Sequence, residues 1–133
     1  MSDVVTDTHG LIWYLEDSSR LSTAANEVFN KCDKGELLIH IPTICLVEIV
    51  YLQEKGRISP GMKSQLDTTL KIGNSGLVLA DLTAGVADAL ATIPRNIVPD
   101  MPDRIIVATA KHLGLPLISK DNKITSSGIS IVW

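Results

Sequence analysis

A chain of 133 residues, 45% of them hydrophobic, can bury one substantial core and predicts a single domain over residues 1–133. Its formal net charge of −3 argues against a protein that holds nucleic acid by bulk positive potential, though not against a nuclease. No run is long enough to span a bilayer and the first residues lack a signal-peptide layout, so a cytoplasmic protein with no membrane partner is expected.

Val4 to Thr6 reads as a short buried strand, followed by a helix over residues 8–16 with Leu11, Ile12 and Leu15 on one face. Asp17-Ser18-Ser19 breaks that pattern. Ser22 suits the N-cap of a second helix running to about Lys34, with Ala25, Val28 and Phe29 inward and Gly35 as its stop. Leu37 to Ile41 is a second strand, and Pro42-Thr43 opens a third helix to about Glu54. Ser59-Pro60 has the cap and first-turn chemistry of a fourth, with Met62, Leu66 and Leu70 on one face.

After a turn at Gly73 to Gly76, Leu77 to Leu79 forms a third strand, and Thr83 opens a helix that stops before Pro94. Three prolines make residues 94–102 a loop. Asp103 to Leu113 is the next helix, Gly114 its stop, Leu117 to Ser119 a fourth strand and Ile129 to Val132 a fifth. Short apolar strands alternating with helices predict an α/β sandwich around a parallel sheet. In that architecture ligands sit beyond the carboxyl ends of the strands.

Four acids are stranded against apolar sequence. Asp7 closes Val4-Val5-Thr6, Glu48 interrupts Ile44 to Val50, Asp103 opens Asp103-Arg104-Ile105-Ile106-Val107-Ala108, and Asp121 follows Leu117 to Lys120. An ionised carboxylate near a core costs several kcal/mol unless it is hydrogen-bonded, paired or bound to a metal. Their strand-end and helix-start positions predict convergence at one sheet edge, as a site for a hard cation.

Each acid taken alone has a structural explanation. Asp7 and Asp103 suit helix caps, and Asp121-Asn122 suits a turn. Glu48 has mostly apolar helical neighbours in Ile44, Cys45, Tyr51 and Leu52, and its alternative is a buried pair with lysine or arginine. Asp100 competes with Asp103 as third carboxylate but reads as an exposed loop acid. Thr8 and Ser119 stand beside strand-end acids, where a hydroxyl can fix a carboxylate rotamer or serve local capping. His9, His40 and His112 share no ligand spacing with each other or with Cys32 and Cys45, which argues against zinc. The two cysteines are expected to be reduced and partly buried. Trp13 and Tyr14 suit either a partner surface or core packing.

Asp7-Thr8-His9 with Trp13 and Leu15, then Arg20-Leu21-Ser22, Pro42-Thr43 with Glu48, the run Asp103 to Ala110, and Leu117 to Asp121 with Ile124 span nearly the whole chain. In this order they resemble the PIN-domain family, and within it the VapC-type ribonuclease toxins of type II toxin–antitoxin systems. The resemblance implies a three-layer α/β/α sandwich and hydrolysis of RNA phosphodiester bonds with Mg²⁺, or Mn²⁺, as cofactor. It carries the family's acidic residues onto Asp7, Glu48, Asp103 and Asp121. It further implies a small VapB-like antitoxin as partner, and a homodimer. Lys120 stands where such relatives often carry a small or polar residue.

Oxygen ligands suit a hard divalent cation that activates water and stabilises charge on a phosphate. Asp7 and Asp103 are assigned as direct metal ligands, with Glu48 and Asp121 completing the shell or orienting water. Arg104 and Lys120 are nearest in sequence for gripping substrate, with Lys123 and Arg95 further out. Aromatic residues make up 4%, which argues against an extended base-stacking platform and favours recognition of RNA shape and a single-stranded loop. An aspartyl-phosphate phosphatase needs a second aspartate two positions after the nucleophile, where His9 stands. A non-toxin PIN-like nuclease and a catalytically silent metal- or protein-binding module are the other readings.

Overall fold

In the computed structural model, which describes residues 2–133, five short strands form one sheet. They are β1 (Val4–Thr6), β2 (Ile39–Pro42), β3 (Leu77–Ala80), β4 (Leu117–Ile118) and β5 (Ile131–Val132). All neighbours are parallel, in the order β3-β2-β1-β4-β5. Val5 is the hinge of the register, opposite His40 on one side and Leu117 on the other. Central β1 is buried throughout, as a strand covered on both faces must be, whereas edge strand β3 is only partly covered.

The connections are helical: α1 (Thr8–Leu15) and α2 (Thr23–Asp33) before β2, α3 (Thr43–Glu54) and α4 (Met62–Lys71) before β3. Then α5 (Ala84–Ala91) and α6 (Met101–Leu113) lead back across to β4, and α7 (Asn122–Thr125) to β5. The fold is the expected three-layer sandwich. Phe29, Leu11, Ile12, Ile49, Leu66 and Ile106 from the helices close on Val4, Ile39, Ile41, Leu117 and Ile118 of the sheet, all essentially inaccessible. Because the chain leaves β1 toward β2 but returns to β4 on the other side, the connections diverge at the carboxyl ends of β1 and β4 and open a crevice there.

The caps foreseen at Ser22 and Thr83 are present, each side chain accepting from the backbone N–H three residues on. Other boundaries differ from expectation. Helix α4 begins at Met62, because Ser59 accepts from the Gly61 N–H and forms a turn with Pro60 before the helix opens. Helix α6 begins at Met101, two residues early, because Asp100 caps it and Pro102 fits its first turn. The one-turn helix α7 follows Asp121 where a turn was expected, and β5 is confined to Ile131–Val132.

Two glycines hold left-handed backbone for different reasons. Gly114 (φ 68°) ends α6 in open space, while Gly76 (φ 79°), just before β3, lies where a Cβ would meet Cys32 Sγ at 2.6 Å. Gly114→Ala is therefore expected to cost about 1–2 kcal/mol of backbone strain alone. Gly76→Ala adds an overpacking cost of about 1–3 kcal/mol. Urea unfolding of the two variants checks the ranking; equal losses would remove the steric argument.

Candidate active site

Asp7 leaves the end of β1 with its N–H bonded to Ile118 O at 3.0 Å, so the sheet itself fixes its backbone. Its carboxylate caps α1, with Oδ1 accepting from Gly10 N at 2.8 Å. Gly10 permits this approach, since a Cβ there would stand 3.0 Å from both Asp7 Oδ1 and Thr6 Oγ1. Asp7 is 6% exposed. Burial raises its pKa, Asp121 adds to the rise, and the Gly10 N–H, the Ser119 hydroxyl and His9 oppose it.

Asp121 follows β4 and caps α7, its Oδ1 accepting from Lys123 N at 2.8 Å and Ile124 N at 3.3 Å. Ser119, fully buried, accepts from Asp121 N at 3.1 Å and so links the two strand-end acids. Glu48, in the second turn of α3, accepts from Thr8 Oγ1 at 2.6 Å. Thr8 thus meets Glu48 and not the strand-end acid beside it, whereas Ser119 meets both strand-end acids. The lysine or arginine pair considered for Glu48 does not form: among the described residues the ion pairs are Lys31–Glu27, His40–Asp3 and Lys63–Asp67.

Asp103 is not the cap of α6. That role falls to Asp100, whose Oδ2 accepts from Asp103 N at 3.1 Å. Asp103 is left half-buried among anions, and its pKa rises to about 7 through burial first, then Asp100, Asp121 and Glu48. All four predicted acids line one open cavity of about 1070 Å³, and Asp100 lines it with them. Asp100, read from sequence as a loop acid, is the residue missed; its place three positions before Asp103, ahead of a proline, was the available signal.

The cations divide differently from expectation. Arg104 does not line the cavity. Its guanidinium turns to α5, donating through Nε and Nη2 to Ile93 O at 3.2 and 2.9 Å and to Leu90 O at 3.2 Å. It ties the end of α5 to α6 and so fixes the helix start that carries Asp103. Arg95 is also outside the cavity, whereas Lys120 and Lys123 line it. Lys120 Nζ is 6.0 Å from the centre of the Trp13 ring. His9 and Trp13 are 5.7 Å apart, and Trp13 and Trp133 5.6 Å, so the few aromatics gather on one wall. Tyr14 packs instead, stacked 4.3 Å from Phe29. Both cysteines are buried and free; burial holds Cys45, behind the site, as a thiol with its Sγ directed at Thr6 O.

The donor set is all oxygen and anionic, which suits Mg²⁺ or Mn²⁺ and not a softer metal. Among the described residues no three acidic, histidine or cysteine side chains are drawn tightly enough to enclose an ion as they stand. Their present bonds account for this: Asp7 and Asp121 cap helices, Glu48 holds the Thr8 hydroxyl, and like charges keep apart. The residues fit such a cation by chemistry and by convergence.

The chain belongs to the PIN-domain family, whose description matches residues 4–127. It is 27% identical over 126 residues to Ribonuclease VapC22 of Mycobacterium tuberculosis, covering 95% of this chain and 92% of that protein. In fold it is similar to VapBC2 from Rickettsia felis bound to a promoter DNA fragment, with TM-score 0.72, 16% identity and coverage of 97% and 96% of the two chains. DNA-bound VapBC from Salmonella typhimurium gives TM-score 0.68, 21% identity and coverage of 98% and 97%.

Two predictions follow from the charges. Between pH 3.8 and about 7, folded Asp103 keeps a proton that the unfolded chain has released. The metal-free protein should therefore lose stability as pH rises through that window. Asp103→Asn should raise Tm at pH 8 and flatten Tm against pH relative to wild type; a lower Tm at pH 8 would show the crowding of charge to be unimportant. Arg104→Met, in contrast, should cost about 2 kcal/mol in urea unfolding, because it leaves Ile93 O, just past α5, without its donor. Unchanged stability would return Arg104 to the surface.

Proposed function

We propose that this chain is a metal-dependent endoribonuclease acting as the toxin of a toxin–antitoxin pair. The observation that carries the reading is the convergence of Asp7, Glu48, Asp100, Asp103 and Asp121 on one open cavity with no lysine or arginine paired to them. Such an arrangement destabilises the empty protein and is explained if a hard cation and a phosphate complete it. The ribonuclease relative supplies the substrate class, and the VapBC complexes among the fold neighbours supply the kind of partner, a small VapB-like antitoxin.

Asp7 and Asp103 hold the cation. Mg²⁺ or Mn²⁺, when bound, lowers the pKa of a coordinated water and offsets charge on the phosphate. Asp7 brings a carboxylate already oriented by the Gly10 N–H, so little reorganisation is needed there. Asp103, with a pKa of about 7, would have to be without its proton to serve as a ligand, so affinity for metal would rise through neutral pH. Glu48, aimed by the Thr8 hydroxyl, and Asp121, aimed by the Lys123 and Ile124 N–H groups, orient the attacking water toward the phosphorus. Lys120 and Lys123 at the cavity's edge grip the substrate's backbone, with local charge doing what net charge does not. The chain works in the cytoplasm as a homodimer, for which the exposed Val47 and Tyr51 on α3 offer apolar surface.

The test is cleavage of defined RNAs with added metal. Activity should stop in excess EDTA and fall by more than about a hundredfold in Asp7→Asn or Asp103→Asn with the fold retained. Thr8→Val, which only frees Glu48, should lose about 10- to 100-fold. Full cleavage in chelator, or by folded Asp103→Asn, would reject the mechanism.

A further inference from the structure

The cavity has a second wall that the acids do not explain. His9 projects from the first turn of α1, Trp13 lies one turn further along the same face, and Trp133 reaches them from just beyond β5. All three line the cavity that the carboxylates line. Their planes are tilted, by 50° between His9 and Trp13 and 56° between Trp13 and Trp133. Tilted rings at these separations do not cover one another's faces. The Tyr14–Phe29 pair shows the contrast, lying parallel within 8° with Phe29 fully buried, so that its faces are spent on the core. Trp13 and Trp133 are only partly buried and His9 is exposed. Large rings left part-open to a polar cavity are costly as packing and useful as a platform.

We infer that His9, Trp13 and Trp133 form a stacking subsite for an unpaired nucleobase of the RNA, beside the phosphate held at the carboxylates. The inference rests on the ribonuclease reading and adds to it what the site recognises. A base-paired nucleotide keeps its faces against its neighbours, so the wall selects single-stranded RNA. Lys120 ties the two walls together: its ammonium stands 6.0 Å from the centre of the Trp13 ring, in the same cavity as the acids, where it can also meet the adjoining phosphate. Stacking on a ring tolerates any base, so this wall sets strandedness and register, and not sequence. The three rings bind the base and take no part in attack on the phosphate.

The sequence contains two tryptophans, and both stand in this wall, so intrinsic fluorescence reads it alone. The full chain would be titrated in Ca²⁺ with a single-stranded RNA hexamer and with the same backbone carrying abasic residues. The hexamer should quench the emission and bind at least about tenfold more tightly than the abasic strand. In Mg²⁺, Trp133→Leu should raise KM for cleavage by about the same factor with kcat nearly kept, and Trp133→Phe should restore it. Equal binding of the two strands with unchanged emission would overturn the subsite, and so would a wild-type KM in Trp133→Leu. Base-dependent quenching by a protein that cleaves no RNA would keep the subsite and reject the nuclease. Cleavage that proceeds with equal KM whether or not the strand carries bases beside the scissile phosphate would do the reverse.

Discussion

Everything in this structure turns on holding like charges together. Five carboxylates face one cavity, and three of them are held by the free N–H groups of helix starts: Asp7 at α1, Asp100 at α6 and Asp121 at α7. A helix N-terminus offers unpaired donors and a partial positive charge, and a capping carboxylate uses both. The fold therefore replaces the missing cation side chains with backbone. This is how the acids are held together although, among the described residues, no lysine or arginine is ion-paired with them.

The topology makes that possible at a single place. Strands β1 and β4 are neighbours in the sheet but far apart in sequence, and the chain turns from each into a helix at the same edge. Two caps are thereby brought side by side, with Ser119 bridging them. Helix α6 adds its own start only because Arg104 fastens it to the carbonyls that end α5. A parallel sheet with helical crossovers generates such an edge without any special loop, so the site is a consequence of the architecture.

Much of this was legible in the sequence, because an acid at the end of an apolar run is an energetic misfit that only a site or a cap resolves. That argument led to Asp7, Glu48, Asp103 and Asp121, which line one cavity. Arg104 was misplaced because adjacency in sequence is not adjacency in space: successive helical residues point about 100° apart, so the neighbour of Asp103 faces another element. Asp100 was passed over because a proline-rich segment hides a helix start. The aromatic wall escaped because composition counts rings without placing them, and Trp133 lies 120 positions from Trp13 in the sequence. Long-range pairing of that kind is decided by the sheet, and single-residue patterns do not carry it.

The five acids are not equivalent, and the difference is in their donors. Asp7 is the more buried, yet its carboxylate has the Gly10 N–H and the Ser119 hydroxyl to favour its charge. Asp103 is less buried, but its neighbours are anions, and its own backbone N–H is spent on Asp100. Burial raises the pKa of both acids; the hydrogen bonds on Asp7 work against that rise, and the charges around Asp103 work with it. The two acids thus stand differently: on the β1 side hydrogen-bond donors favour the charge, and on the α6 side burial and the neighbouring anions oppose it.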